Sequence, residues 1–269
     1  MSDTESVPEV VGLIPAGGQG TRIAPLPCSK ELYPVGFESW REDGTLRPKV
    51  VSHYLLERMR LAGASKIYMV LRPGKWDIPT YFGDGSILGV HIAYLILGVP
   101  YGVPFTLDQA FPFVSEATVT FGFPDILFHG DDGFVKLITR QRRNGADVIL
   151  GLFPATHPNS KEDRVDFSNT GEVRELVLGP PESHLRYSWG IAVWNSRFTR
   201  FLHEYVEARK SGHPEDVELS AGHAIHAALQ AGLCVDSLVL SEDEPYVDIG
   251  TPHNLYRAVT SNICVKPRP

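Results

Sequence analysis

Cysteine is rare in this chain: Cys28, Cys234 and Cys264 are odd in number, far apart, and form no C-x-x-C pair. That pattern argues against a disulfide framework or a zinc site and for a reducing compartment. Long apolar runs are missing as well, and none approaches the roughly 20 residues needed to cross a bilayer. The opening residues, MSDTESVPEV, are acidic and polar, unlike a signal or transit peptide, and residues 1–9 are expected to form a disordered lead-in. Together these absences predict a cytoplasmic chain with no membrane partner. Cations are outnumbered too: 25 Lys and Arg stand against 32 Asp and Glu, a net charge of −7, with no lysine–arginine run. Nucleic acid is therefore not an expected partner, because affinity for a phosphate backbone rests on clustered cations. No internal repeat occurs, and no hexapeptide array, so no β-helix extension is expected.

What is present is an ordinary globular composition over 269 residues, 43% hydrophobic and 21% charged. Short apolar runs of the buried-strand type alternate with amphipathic stretches. Strands are expected at 10–14, 66–71, 90–96, 117–123, 147–153, 173–178, 190–194, 233–240 and 246–249. Helices are expected from Val50 to Leu61, through Leu107 and Ala110, at 132–144, 196–210 and 219–231, and from Thr251-Pro252 onward. The polar stretch 36–48 reads as an exposed loop. Alternation without a Gly/Ser or Pro-rich linker predicts one doubly wound, mostly parallel α/β sheet over residues 10–269.

The stretch that carries chemistry is VGLIPAGGQGTRIAPLPCSKELYPV, residues 11–35. An apolar strand runs into Gly17, Gly18 and Gly20, which allow a sharp turn and a close backbone approach. Successive N–H groups in such a turn make an anion-binding nest. Arg22 and Lys30 add fixed positive charge, so the segment has what a polyphosphate needs. Two familiar phosphate motifs do not fit. The P-loop requires Lys-Ser/Thr after its second glycine, whereas Gly12 and Gly17 are followed by Gly18-Gln19. The dinucleotide fingerprint must open a helix, which Pro25 and Pro27 prevent.

The whole string resembles the signature of the sugar-1-phosphate nucleotidyltransferases, G-G-x-G-T-R-x-x-P-L followed by K-x-L-x-P-V. Gly17, Gly18, Gly20, Thr21, Arg22, Pro25, Leu26, Lys30, Leu32, Pro34 and Val35 fall in register, and the Ser-Lys-Glu-Leu segment looks like the thymidylyl and uridylyl branches. The likeness continues through YFGDGS and reaches Asp248 in VDIGTP, covering about Val11 to Ala258. Thymidylyltransferases usually continue further, so a shortened C-terminus is expected. The resemblance implies a Rossmann-like fold and transfer of a nucleotidyl group from a nucleoside triphosphate to a phosphorylated acceptor. It assigns the nucleotide to Ala16, Gly17, Gly18, Gly20, Thr21 and Gly102, and catalysis to Arg22 and Lys30. A Mg²⁺ ion would be held by Asp125, after the 117–123 strand, and by Asp248. A homo-oligomer is left open.

Departures from the signature fall on the other half of the site. The base-reading glutamine aligns with Leu97, although Gly102 keeps the family's loop glycine. The family's Glu-Lys-Pro aligns with Leu178-Gly179-Pro180, so the acceptor-phosphate lysine is missing, and a sugar-contacting glycine aligns near Asp163. Lys161, Arg164, Arg174 and Arg186 are substitute cations in that region, with Arg174 and Arg186 bracketing the altered turn as acceptor-binding candidates. Two readings follow: an enzyme for a different acceptor, or a catalytically silent homologue that binds nucleotide. A dehydrogenase is disfavoured by the glycine spacing. His223 and His226, at i and i+3, read as structural histidines, and Trp189 and Trp194 as core.

Overall fold

The computed structural model describes residues 7–39, 44–98, 101–156, 162–180, 182–210 and 218–260. Its first half runs β1 (Val10–Ala16), β2 (Pro34–Ser39), β3 (Leu46–Val50), α1 (Val51–Leu61), β4 (Lys66–Leu71), α2 (Asp77–Phe82), β5 (His91–Ile96), α3 (Val103–Asp108), α4 (Phe111–Val114), β6 (Thr118–Gly122) and β7 (Ile126–Leu127). The second half runs α5 (Gly133–Asn144), β8 (Val148–Pro154), β9 (Arg164–Phe167), β10 (Val173–Val177), β11 (Tyr187–Trp194), α6 (Ser196–Lys210), α7 (Ala221–Gln230), β12 (Val235–Val239), β13 (Val247–Asp248) and α8 (Pro252–Thr260). Seven strands form one sheet in the order β12-β8-β11-β6-β1-β4-β5. Within it β1 is parallel to β4 and β6, β4 to β5, and β12 to β8, while β11 runs against both neighbours. The mostly parallel α/β sheet expected from the alternation is the one formed.

The apolar runs follow from burial on both faces of this sheet. Along β1 the side chains alternate: Val11 and Leu13 join the core that holds Phe121, Phe198 and Ile225, and Val10, Ile14 and Ala16 join the core that holds Leu56, Met59 and Phe134. α1 and α5 therefore cover one face, and α3, α6 and α7 the other. The contact with α1 is close enough that a Cβ on Gly12 would lie 2.9 Å from the Met59 sulfur. Among the described residues no helix is long and apolar enough to cross a membrane.

Two regions differ from the expectations drawn from the sequence. The segment read as an exposed loop at 36–48 contains the paired strands β2 and β3, with Glu38 opposite Arg47; residues 40–43 lie outside the described residues. Its inward positions are few, and Val35 packs with Val51 and Ile249 in a third, small core. Charge holds the rest, since the Glu38 carboxylate pairs with Arg47 at 2.5 Å and Lys49 at 3.4 Å, which a hydropathy pattern does not register. β9 was also not anticipated; it pairs antiparallel with β10 and is only four residues long. Of the expected lead-in, residues 1–6 lie outside the described residues, and Glu9 accepts a hydrogen bond from the Thr118 N–H at 2.9 Å.

Candidate active site

Beyond the end of β1 the chain turns at the glycines and forms a short 3₁₀ turn, Thr21–Ile23. Gly20 has a φ of +66°, a left-handed conformation that L side chains rarely adopt. A Cβ on Gly18 would lie 3.4 Å from the Lys30 ammonium, so the loop and the lysine face each other directly. Lys30 opens a second 3₁₀ turn, Lys30–Leu32, anchored on both sides. Before it, the Ser29 N–H and hydroxyl donate to Asp77 at 2.6 and 2.7 Å. After it, the Lys75 ammonium donates to the fully buried Glu31 carboxylate at 2.6 Å. Burial pushes the Glu31 carboxyl up and the Lys75 ammonium down, each partly offset by the other's charge.

In contact with these cations stand two carboxylates from segments far apart in sequence. Asp125 precedes β7 and Asp248 ends β13; these strands pair, with Asp248 opposite Ile126, and the Ile249 N–H donates to the Asp125 carbonyl at 3.0 Å. The Asp125 carboxylate accepts a hydrogen bond from the Lys30 ammonium. Burial alone would lower the Lys30 pKa, but the Asp125 charge and hydrogen bond, helped by Glu31 and Asp248, outweigh it and raise the value. Lys30 is thus a dependable cation. Asp248 accepts from the Gly250 N–H at 2.7 Å and faces the Arg22 guanidinium at 3.5 Å. Burial, and then the charge of Asp125, raise its pKa, against the pull of the Gly250 N–H, Lys30 and Arg22. Two part-buried carboxylates that repel each other at one place are a fit for a divalent cation, and their oxygen-only donor set suits a hard ion.

Gly17, Gly18, Arg22, Lys30, Gly102, Asp125 and Asp248 all line one cleft of about 510 Å³. Ala16 is the buried last residue of β1, and Gly20 and Thr21 lie in the turn between Gly18 and Arg22. Gly102 has a φ of +106° and crosses so near Leu219 that a Cβ would lie 2.4 Å from its carbonyl oxygen. Leu97 lies beside Gly17 and lines the same wall.

A further part of the cleft wall is formed by Glu162, Asp163, Trp189, Glu218 and Gly222. The altered turn reaches this wall through its backbone, because the Gly179 N–H donates to Asp163 at 3.1 Å. Arg174 and Arg186 are not among the residues that line the cleft; Arg174 is exposed, and Arg186 donates to the Glu242 carbonyl at 2.6 Å. Arg164 is fully buried and paired with Glu162 at 3.2 Å, while Lys161 lies outside the described residues. His223 and His226 are structural: His223 Nδ1 meets the Ser220 N–H in a capping box that opens α7, and His226 Nδ1 meets the Leu176 carbonyl at 3.0 Å. Trp194 is buried core, but Trp189 both packs in the core and borders the cleft. Sequence reasoning missed the Glu31–Lys75 and Ser29–Asp77 anchors. Asp163 entered it only as the residue near a family glycine, and the signal available was a lone acid just before a four-residue strand.

A family model described as nucleotidyl transferase matches residues 11–263. Among curated proteins, the low-salt glycan biosynthesis nucleotidyltransferase of Haloferax volcanii is 25% identical over 251 residues, which cover 92% of this chain and 64% of that protein. A glucose-1-phosphate thymidylyltransferase of Neisseria meningitidis is 30% identical over 259 residues, covering 93% of this chain and 81% of that protein. A Bacillus anthracis protein assigned as a glucose-1-phosphate thymidylyltransferase and solved with sucrose superposes with a TM-score of 0.78 at 20% identity, over 97% of this chain and 98% of that one. At that identity the superposition speaks for the fold alone.

Proposed function

The chain belongs to the nucleotidyl transferase family, and on that premise we propose that it transfers a nucleotidyl group from a nucleoside triphosphate to a sugar-1-phosphate or related phosphorylated acceptor. One observation carries the reading: the glycine turn, Arg22 and Lys30 face Asp125 and Asp248 within a single cleft. An acceptor phosphate oxygen attacks the α-phosphorus, the bond from that phosphorus to the bridging oxygen breaks, and pyrophosphate leaves with the electron pair. The attacking group is already an anion, so the reaction needs no strong base. It needs alignment and neutralisation of charge. The turn's N–H groups bind the triphosphate, Lys30 holds a fixed positive charge against it, and Arg22, exposed at the cleft mouth, meets the departing pyrophosphate. Asp125 and Asp248 would hold a divalent cation, Mg²⁺ by family resemblance, which supplies further positive charge for the phosphate oxygens. Triphosphate supply and the free thiols of Cys28 and Cys234 suit a cytoplasmic setting.

Pyrophosphate release, measured with each common nucleoside triphosphate against a panel of phosphorylated acceptors, tests the proposal. Release that depends on one triphosphate and one acceptor class supports it. Triphosphate binding without release under any pairing identifies the silent homologue instead, and no triphosphate binding at all removes both readings.

A further inference from the structure

The charged residues lining the cleft are unevenly spread: Arg22 and Lys30 are its only lining cations among the described residues, and both belong to the glycine-turn side. The lining drawn from the segment before β9, from β11 and from the segment leading into α7 presents Glu162, Asp163 and Glu218. Glu162 is already neutralised. It pairs with the buried Arg164 at 3.2 Å and accepts from the Thr156 hydroxyl at 2.6 Å. Asp163 has no such partner among the described residues.

Its two oxygens accept from neutral donors, the Gly179 N–H at 3.1 Å and the Trp189 indole N–H at 3.3 Å, and among the described residues it makes no ion pair. The fold reserves room for this carboxylate: a Cβ on Gly222 would lie 2.0 Å from Asp163 Oδ2. Burial raises the Asp163 carboxyl, against the pull of the two hydrogen bonds and of His223. A part-buried carboxylate held by neutral donors alone is costly unless a cation reaches it. Aromatic surface stands beside it, since Trp189 and Phe123 both border the cleft with ring centroids 6.3 Å apart. A carboxylate next to aromatic rings is the chemistry that recognises an ammonium group.

We infer that the acceptor end of this cleft takes a phosphomonoester carrying an ammonium group, such as an amino-alcohol or amino-sugar phosphate, with the ammonium seated on the Asp163 carboxylate beside the Trp189 and Phe123 rings. The inference rests on the nucleotidyl-transfer reading and names its acceptor class. The phosphate end faces the cationic side, where its oxygen bonds to the α-phosphorus as pyrophosphate leaves. The ammonium keeps all its protons and takes no part in bond making. A zwitterion also accounts for the missing acceptor lysine at Gly179: among the described residues the lining here carries Asp163 and Glu218 where that lysine would have added positive charge.

Matched pairs test the idea. Phosphocholine is compared with its neutral isostere 3,3-dimethylbutyl phosphate, and glucosamine-1-phosphate with glucose-1-phosphate. Each is measured by pyrophosphate release and, separately, by calorimetric binding in the presence of a non-hydrolysable triphosphate analogue. The inference expects at least one ammonium compound to exceed its neutral partner about tenfold or more in affinity, as charge-assisted and cation–π contacts allow. In Asp163→Asn that preference should fall to near unity while triphosphate affinity stays within about twofold. Trp189→Phe, which keeps a ring but removes the indole donor, should weaken the preference in the same direction. Equal binding of both members of each pair, preference for the neutral one, or a preference untouched in Asp163→Asn overturns the inference. Transfer to glucose-1-phosphate with no ammonium preference in either pair leaves the nucleotidyltransferase standing and removes only the ammonium site. Absence of release with every acceptor removes the enzyme reading, and the binding comparison then still decides the site.

Discussion

Arg22 holds little of the fold in place: its side chain is 64% exposed and its ion pair with Asp248 spans 3.5 Å. Exposed pairs of this kind contribute about 0–1 kcal/mol. If its charge is presented to the pyrophosphate, as proposed, Arg22→Ala should leave thermal stability nearly unchanged and reduce turnover by about 100-fold or more, the scale of other electrostatic donors. Steady-state kinetics beside a melting curve checks both halves, and unchanged turnover would remove Arg22 from the chemistry. Gly102 is the opposite case. Its φ of +106° and the 2.4 Å approach of a would-be Cβ to the Leu219 carbonyl mean that Gly102→Ala must move one strand of chain away from the other. A loss on the order of 2 kcal/mol in unfolding free energy is expected, together with weaker triphosphate binding. A variant as stable as the parent would show that the two segments are free to part. The gathering of Arg22 and Lys30 at the glycine turn could be read in the sequence because both follow it closely in the chain. Asp163 could not, because a single acid carries no pattern until β11 and α7 are folded against it.

On α1, facing the hairpin β2–β3, His53 is fully buried, and among the described residues neither ring nitrogen is hydrogen-bonded. It packs against the rings of Tyr81 and Phe82, with centroids 5.7 and 5.3 Å away, and stands 3.6 Å from Glu38. Burial pulls its pKa down to about 4; Glu38 opposes this, while Lys49 and Arg47 reinforce it. The folded protein therefore resists a proton that the unfolded chain accepts near pH 6.5, so stability is full above that pH and lost as pH falls toward about 4. By pH 4.5 the loss attributable to this residue is on the order of 2 kcal/mol. Urea unfolding of the parent and His53→Leu at pH 7 and 4.5 should show a smaller acid-induced drop in the variant. Parallel curves would mean that the histidine stays solvated. The same elements show where sequence reading stops. β1, β4 and β8 were legible because both faces are buried and the chain turns uniformly apolar. β2, β3 and β9 were not, because they are short and Glu38 with its two cations, or Arg164 with Glu162, occupies positions that carry no hydrophobic signal.

At the scale of the whole molecule, the sheet brings together residues that the chain keeps far apart. The glycine turn leaves β1, Asp125 follows β6, and β13 returns to pair with β7, so Asp125 and Asp248 share one rim of the cleft from widely separated positions. Open α/β sheets bind ligands beyond the carboxyl ends of their strands, and this placement follows that rule. If the two carboxylates hold one divalent cation, each contributes to the same ion. Asp125→Asn and Asp248→Asn preserve shape and remove one charge apiece, and each should raise the Mg²⁺ concentration needed for half-maximal pyrophosphate release about tenfold or more, with a smaller effect on triphosphate affinity. Once the ion is lost there is less left for the second change to remove, so the double variant should fall short of the product of the single effects. Asp125→Asn carries one further cost that Asp248→Asn does not. It strips the carboxylate that hydrogen-bonds Lys30 and does most to raise its pKa, so its triphosphate affinity should be the weaker of the two. Metal titrations of the three variants, with a chelator as the zero point, read all of this at once, and multiplicative effects or full release in excess chelator would remove the pair as ligands.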